Sequence, residues 1–118
     1  MKKHIRKYDV VLVDLTGAKG HMQTGIRPAV VVQNGYACTF SDNVTIMPLT
    51  SVMKNLDLPT HSLIRKGEDN SLAADSVLLG EQMTLVPRHC VMKKIGSIAN
   101  PADKAEVKRV YLAIFGED

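Results

Sequence analysis

The chain has 118 residues, of which 45% are hydrophobic and 23% are charged, and its formal net charge is +3. This composition fits one globular domain over residues 1–118. No run of apolar residues approaches the roughly 18 that a membrane span needs. The basic excess permits binding to nucleic acid without establishing it. Two distant cysteines, Cys38 and Cys90, and no secretory segment favour free thiols, so we expect a soluble cytoplasmic protein.

The first half of the chain predicts three strands separated by polar loops. Residues 8–15 (YDVVLVDL) are apolar and rich in β-branched residues, which is typical of a strand. Residues 16–26 contain three glycines among polar residues and predict a long loop. Residues 28–33 and 44–49 then predict the second and third strands. Pro48 indicates the end of the third strand or an edge position, because proline cannot donate a hydrogen bond within a sheet.

The second half predicts further short strands and one helix. Residues 61–65 (HSLIR) predict a strand, residues 76–86 (SVLLGEQMTLV) predict one strand bulged at Gly80 or two strands, and residues 90–98 predict a final strand or turn. Asn100 as N-cap and Pro101 as the first residue begin a helix of about four turns. Its apolar residues recur at spacings typical of one helical face, and these are Val107, Val110, Tyr111, Ile114 and Phe115. The layout predicts a small, strongly bent sheet or barrel covered by a C-terminal helix.

The residue pattern predicts no metal site and no other cofactor. The four histidines lie in separate segments, and no cysteine or carboxylate stands at ligand spacing from any of them. We therefore expect unlinked surface histidines at positions 4, 21, 61 and 89. The glycines of the first loop also lack the spacing of a phosphate-binding loop.

One Arg is a candidate phosphate-binding group. Pro28 holds Arg27 in an extended conformation, and a guanidinium offers five donors in a planar fork that suits a phosphate. The simpler interpretation is a surface Arg that ends a strand. Thr50 and Ser51 follow the third strand, where hydroxyls commonly form turns. If both strands end at the same edge of the sheet, Arg27 and Thr50 form a small phosphate site.

Four motifs in order resemble the MazF/PemK (Kid) family of toxin endoribonucleases: GHMQTGIRPAVVVQN, VTIMPLTS, LPTH and DSVLLGEQ. The resemblance extends from Tyr8 to the C-terminal helix. It implies a mainly β fold with short helices, an SH3-like barrel of the MazF/Kid type with a C-terminal α-helix. It also implies a homodimer that cuts single-stranded mRNA at specific sequences without a metal, and a cognate antitoxin whose tail occupies the RNA groove.

The resemblance also assigns roles to individual residues. The family's catalytic Arg and Thr correspond to Arg27 and Thr50. Glu81 corresponds to a candidate general base and His21 to a candidate acid or stabilising group. Attack of the RNA 2′-OH on phosphorus implies products with 2′,3′-cyclic phosphate and 5′-OH ends. Four further side chains are candidate RNA contacts, namely Gln23, Ser51, Lys54 and Gln82.

Two departures from the family pattern leave alternatives open. Met22 stands where many relatives have Glu, and residues 83–86 (MTLV) lack an Arg that many relatives carry. One alternative is a non-catalytic barrel that binds RNA or a protein tail. Another is a gyrase-targeting toxin with the same barrel, although the intact GIRP and PLTS motifs argue against it because that branch needs no nuclease pair.

Overall fold

The structure, a computed structural model, describes residues 4–17, 23–35, 41–53 and 55–116. Within these ranges the order is β1 (Asp9–Asp14), β2 (Ile26–Val31), β3 (Asn43–Thr50), β4 (His61–Ile64), β5 (Ser76–Leu79), β6 (Thr84–Pro87), β7 (Val91–Ser97) and a C-terminal helix (Pro101–Phe115). Two short 3₁₀ turns, Gly80–Gln82 and Arg88–Cys90, separate β5, β6 and β7. No helix in the described ranges is both long and apolar enough to span a bilayer.

The strands form an antiparallel sheet in the order β4-β5-β3-β2-β1-β7, and β6 pairs with β3 outside this path. β3 is central because it pairs with β2 on one edge and with both β5 and β6 on the other. The predicted mainly β fold with a C-terminal helix is confirmed. The sheet is barrel-like, although the described strands do not close into a complete barrel.

Of the two positions predicted for Pro48, the end of the third strand was wrong, because β3 continues through Pro48 to Thr50. Asn43 to Ile46 pair with β6, whereas Leu49 and Thr50 pair with β5. Pro48 therefore lies in the interval where β3 changes partners along that edge. Its missing N–H is tolerated there, as at an edge position.

The central strands separate two hydrophobic clusters. Successive side chains of a strand point to opposite faces of a sheet. Accordingly Ile46 packs in the first cluster, with Val13 and Ala29, and Met47 packs in the second. The second cluster also contains Val110 of the C-terminal helix, so the helix covers this face of the sheet.

The C-terminal helix begins at the predicted residue, but the face that it buries is narrower than the predicted apolar face. Asn100 Oδ1 accepts a hydrogen bond from the backbone N–H of Ala102 at 2.8 Å, which confirms the predicted N-cap. Val110 is buried, but Tyr111 and Phe115 are 40% and 56% exposed. Their rings pack against each other instead, with centroids 5.0 Å apart. The second cluster thus receives only part of the predicted apolar stripe.

Gly80 lies in close contact with the C-terminal helix. The two-strand alternative for residues 76–86 is confirmed, but Gly80 begins a 3₁₀ turn rather than forming a bulge. A Cβ at Gly80 would overlap Val110 Cγ1 and lie 2.8 Å from the Thr60 carbonyl oxygen. The Gly80 N–H donates to that same oxygen at 2.9 Å. Only glycine permits this contact between the turn, the helix and the start of β4.

A guanidinium joins the helix to the start of β4. Arg109 Nη1 and Nη2 donate to the carbonyl oxygens of Pro59 and His61, each at 3.0 Å. Arg109 Nε donates to Glu106 at 2.8 Å, and the Ser62 hydroxyl also donates to Glu106 at 3.1 Å. The hydrogen bond from Arg109 is the main cause that lowers the pKa of Glu106 below its usual 4.5, and burial opposes it. This arrangement holds the backbone on both sides of Thr60.

We expect Gly80→Ala to lower the free energy of unfolding by about 1–3 kcal/mol, because the added methyl group must displace Val110 or the Thr60 carbonyl. Chemical denaturation measures this change. Gly67→Ala is the matched control, because a Cβ at Gly67 would meet no atom within 4 Å. Equal effects of the two substitutions would contradict the proposed close contact.

We expect Glu106→Gln to destabilise the protein at neutral pH by about 0.5–1 kcal/mol, a modest value because the carboxylate is 42% exposed. Since folding lowers the pKa of Glu106, its contribution is complete above 4.5 and disappears as the pH falls through the lowered pKa. The difference between wild type and variant should therefore shrink in acid.

Denaturation at several pH values tests this dependence. Glu68→Gln is the control, because Glu68 is exposed and forms no side-chain ion pair in the described ranges. A Glu106→Gln effect that is constant from neutral to acid pH would contradict the assignment.

Candidate functional site

Arg27 lies near the start of β2, and its guanidinium is only partly used by the fold. It pairs with Val13 of β1 and is half-buried. Its Nε donates to the carbonyl oxygen of Thr24 at 2.9 Å, which draws the side chain toward the first loop. In the described part of the chain the two terminal nitrogens of Arg27 have no hydrogen-bond partner. Four N–H donors therefore remain for a ligand.

Thr50 is the last residue of β3 and is brought to the same end of the sheet as Arg27. Ala29 pairs with Pro48 in the last pair between β2 and β3, and Arg27 and Thr50 each lie two residues beyond it on their own strands. Strand alternation then puts the two side chains on the same face. Thr50 is only 3% exposed, and its hydroxyl oxygen accepts from the backbone N–H of Val52 at 3.2 Å.

The first loop is tied to the turn that carries the predicted acidic residue. The backbone N–H of Gln23 donates to Gln82 Oε1 at 2.8 Å, across 59 residues of sequence. Gln82 directly follows Glu81 in the 3₁₀ turn. Because Arg27 is also hydrogen-bonded to the first loop, through Thr24, the structure brings these predicted residues into one connected region. The amide oxygen of Gln82 serves this internal contact, which leaves its amide N–H groups for a ligand.

Glu81 contacts His61, for which the sequence predicted an unlinked surface position. His61 Nε2 lies 2.7 Å from Glu81 Oε1, and His61 Nδ1 lies 3.1 Å from the Asn55 carbonyl oxygen. The expectation of an unlinked surface histidine was wrong here, since His61 is 2% exposed. His61 begins β4 and pairs with Leu79, two residues before Glu81, so strand pairing brings the two side chains together. The LPTH motif was the available signal.

The structure describes only some of the remaining predicted residues. Ser51 is exposed beside Thr50. His21 and Lys54 lie outside the described residues, as do Met22 and Cys38. Cys90 is half-buried and is a free thiol. Within the described ranges, no three His, Cys, Asp or Glu side chains are grouped so that they could hold a metal ion.

One cavity in the described part of the chain lies away from the predicted site residues. It measures about 550 Å³ and lies between the C-terminal helix and the ends of β2 and β3. Its lining includes Lys7, Tyr8, Lys108, Tyr111 and Phe115, and it includes none of the predicted catalytic or RNA-binding residues. This cavity is therefore separate from the candidate site.

Known proteins resemble this chain in sequence and in fold. A protein from Staphylococcus saprophyticus named Endoribonuclease MazF is 34% identical over 91 residues, which is 77% of this chain and 75% of that protein. The crystal structure of MazF from Deinococcus radiodurans has a TM-score of 0.79 at 19% identity and covers 98% of this chain and 99% of its own. A mycobacterial endoribonuclease in complex with its cognate antitoxin has a TM-score of 0.75 at 16% identity, with 97% of each chain covered.

The family that the motifs predicted is confirmed by a match over nearly the whole chain. The family model described as PemK-like, MazF-like toxin of type II toxin-antitoxin system matches residues 6–115. This range contains all the predicted catalytic and RNA-binding residues. The chain therefore belongs to the PemK-like, MazF-like toxin family of type II toxin-antitoxin systems.

Proposed function

We propose that this chain is a sequence-specific endoribonuclease that cleaves single-stranded mRNA without a metal, and that residues 1–118 form one toxin domain. The observation that carries the proposal is that the two terminal nitrogens of Arg27, near the start of β2, bind no other described residue. The relative named Endoribonuclease MazF supports the reaction class, because it is 34% identical over 91 residues.

RNA cleaves itself when its 2′-OH attacks the adjacent phosphorus, and an enzyme must stabilise the charge that develops on phosphorus. Arg27 is the proposed stabilising group, because its four free N–H donors can bind two non-bridging oxygens as a fork. Thr50 ends β3 at the same end of the sheet, two residues beyond the last β2–β3 pair. Its hydroxyl already accepts from Val52, so its own proton can be donated to the same phosphate.

Two proton transfers complete the proposed reaction. Glu81 is the candidate base that removes the 2′-OH proton, and it is 43% exposed, so substrate can reach it. His21 is the candidate acid or stabilising group near the leaving 5′-oxygen. The products of this route are a 2′,3′-cyclic phosphate and a 5′-OH. Further RNA contacts are proposed for Gln23, Ser51, Lys54 and Gln82.

A cognate antitoxin and a second copy of the chain are the proposed protein partners, acting in the cytoplasm. The mycobacterial relative in complex with its cognate antitoxin supports the first. The net charge of +3 favours an acidic antitoxin segment, because opposite charge speeds encounter. The homodimer is proposed from family resemblance. Light scattering at micromolar concentration tests it, and a fully active monomer would exclude it.

We expect the purified protein to cleave a long single-stranded RNA in the presence of EDTA. The new 5′ ends should accept labelled phosphate from polynucleotide kinase without prior phosphatase treatment, since the route leaves a free 5′-OH. Activity that disappears in EDTA and returns with a divalent cation would contradict metal independence. Binding without products would favour the non-catalytic barrel, and inhibition of gyrase supercoiling without RNA cleavage would favour the gyrase-targeting alternative.

We expect Arg27→Ala to slow single-turnover cleavage on the order of 100-fold or more, as loss of one transition-state donor does in other enzymes. Arg27→Lys should restore little, because a point charge does not reproduce the planar fork. RNA binding should weaken much less than the rate if the contact strengthens in the transition state.

Arg65→Ala provides the control, because the Arg65 side chain is 78% exposed and its nearest acidic partner is 4.0 Å away. Circular dichroism should show both variants folded. A folded Arg27→Ala protein that cleaves within about threefold of the Arg65→Ala rate would remove Arg27 from the mechanism.

A further inference from the structure

The contact between Glu81 and His61 joins an accessible carboxylate to a buried imidazole. His61 is 2% exposed, whereas the Glu81 side chain is 43% exposed. The 2.7 Å between His61 Nε2 and Glu81 Oε1 is a short hydrogen bond. The pair therefore reaches from the interior to the surface that carries the proposed RNA site.

The ring's other nitrogen restricts where the protons lie. His61 Nδ1 is 3.1 Å from the backbone carbonyl oxygen of Asn55, and a carbonyl only accepts hydrogen bonds. Nδ1 must therefore carry a hydrogen atom. The contact between Nε2 and Oε1 then needs one more proton, held either on the imidazole or on the carboxyl group. The pair shares this proton, and the ring's orientation is set from both sides.

The backbone beneath His61 is held just as firmly. Arg109 Nη2 donates to the His61 carbonyl oxygen at 3.0 Å, and Glu106 holds Arg109. Strand pairing with Leu79 and the bond from the Gly80 N–H to Thr60 connect His61 to the 3₁₀ turn that carries Glu81. The start of β4, which carries His61, and the 3₁₀ turn, which carries Glu81, are thus joined directly. The fold therefore sets the distance between the two side chains.

We propose that His61 is the positioning residue for Glu81, an inference that rests on the proposed ribonuclease function. An exposed Glu otherwise samples many rotamers, and binding one carboxylate oxygen to a fixed imidazole restricts it to one orientation. Oε1 is taken by His61. Oε2 accepts no hydrogen bond from any described residue, so it is available to the RNA 2′-OH.

In the reaction, the 2′-OH bond to hydrogen breaks and the proton passes to Glu81 Oε2. The oxygen's electron pair forms the new bond to phosphorus, and the bond from phosphorus to the 5′-oxygen breaks as that oxygen takes a proton from the general acid, for which His21 is the candidate. His61 does not contact RNA in this scheme. Its role is to hold the Glu81 carboxylate in one orientation and to keep the shared proton at Oε1, away from the substrate.

Two substitutions at His61 separate the functions of its two nitrogens. Gln can carry its amide N–H toward Glu81, replacing Nε2, whereas the shorter Asn can only replace Nδ1 toward Asn55. We expect His61→Asn to slow single-turnover cleavage by about 10- to 100-fold, by analogy with the loss of a hydrogen-bond partner that orients a metal ligand. His61→Gln should retain most of the rate. His89→Gln is the surface control, since His89 is exposed.

A double substitution tests whether His61 acts through Glu81. Glu81→Ala should lower the rate, and adding His61→Asn to it should cost nothing further, because the partner to be positioned is gone. If His61→Asn lowers the rate equally with and without Glu81, or if His61→Gln is as slow as His61→Asn while both melt like wild type, the inference is wrong. In that case the proposed ribonuclease function stands.

An NMR measurement judges the pair without using RNA. The wild type should show a downfield signal, protected from exchange, from the proton between His61 Nε2 and Glu81, distinct from the Nδ1–H signal. Glu81→Ala should lose this Nε2 signal, while His89→Gln should keep it. An identical signal in Glu81→Ala overturns the pair. If the wild-type protein cleaves no RNA, the proposed ribonuclease function is wrong. The NMR result alone then decides whether His61 and Glu81 share a proton.

Discussion

The position of the candidate site depends on how β3 shares its outer edge between two strands. β5 pairs with the end of β3 and β6 pairs with its beginning, so the chain must leave the sheet and return between them. The detour is the turn Gly80–Gln82, and the C-terminal helix packs so closely on it that only glycine fits at position 80. The same edge therefore presents Thr50 at the strand end and Glu81 and Gln82 in the turn.

Around this turn the structure combines anchored groups with one group that is left partly free. Gln82 is bonded to the first loop and Glu81 to the buried His61, so both side chains already have a defined direction. Among the described residues Arg27 binds only through Nε, which leaves its two terminal nitrogens available. A site that binds a charged transition state benefits from this division, because preorganised groups need little rearrangement when charge develops. The proposed roles of these residues follow from that division and from the family.

Low sequence identity is compatible with the shared fold because a fold tolerates core substitutions that keep volume and pattern. The Deinococcus radiodurans MazF structure matches at 19% identity with a TM-score of 0.79. In this chain the core is built largely from Val, Leu, Ile and Met, with alternating strand residues packed in two clusters. The features that link this chain to the family are thus a pattern of buried positions and short motifs at strand ends and turns.

The sequence by itself determined the order of most strands, the N-cap of the helix and the family, because these depend on local periodicity, capping chemistry and short motifs. Tertiary structure decided what depends on contacts between distant segments. Pro48 lies inside β3 because the partner strand changes beside it, and Tyr111 remains exposed because the second cluster accepts only part of the helix face. His61 is the clearest example: the LPTH motif marks its position in the sequence, but only strand pairing buries it against Glu81, 20 residues away.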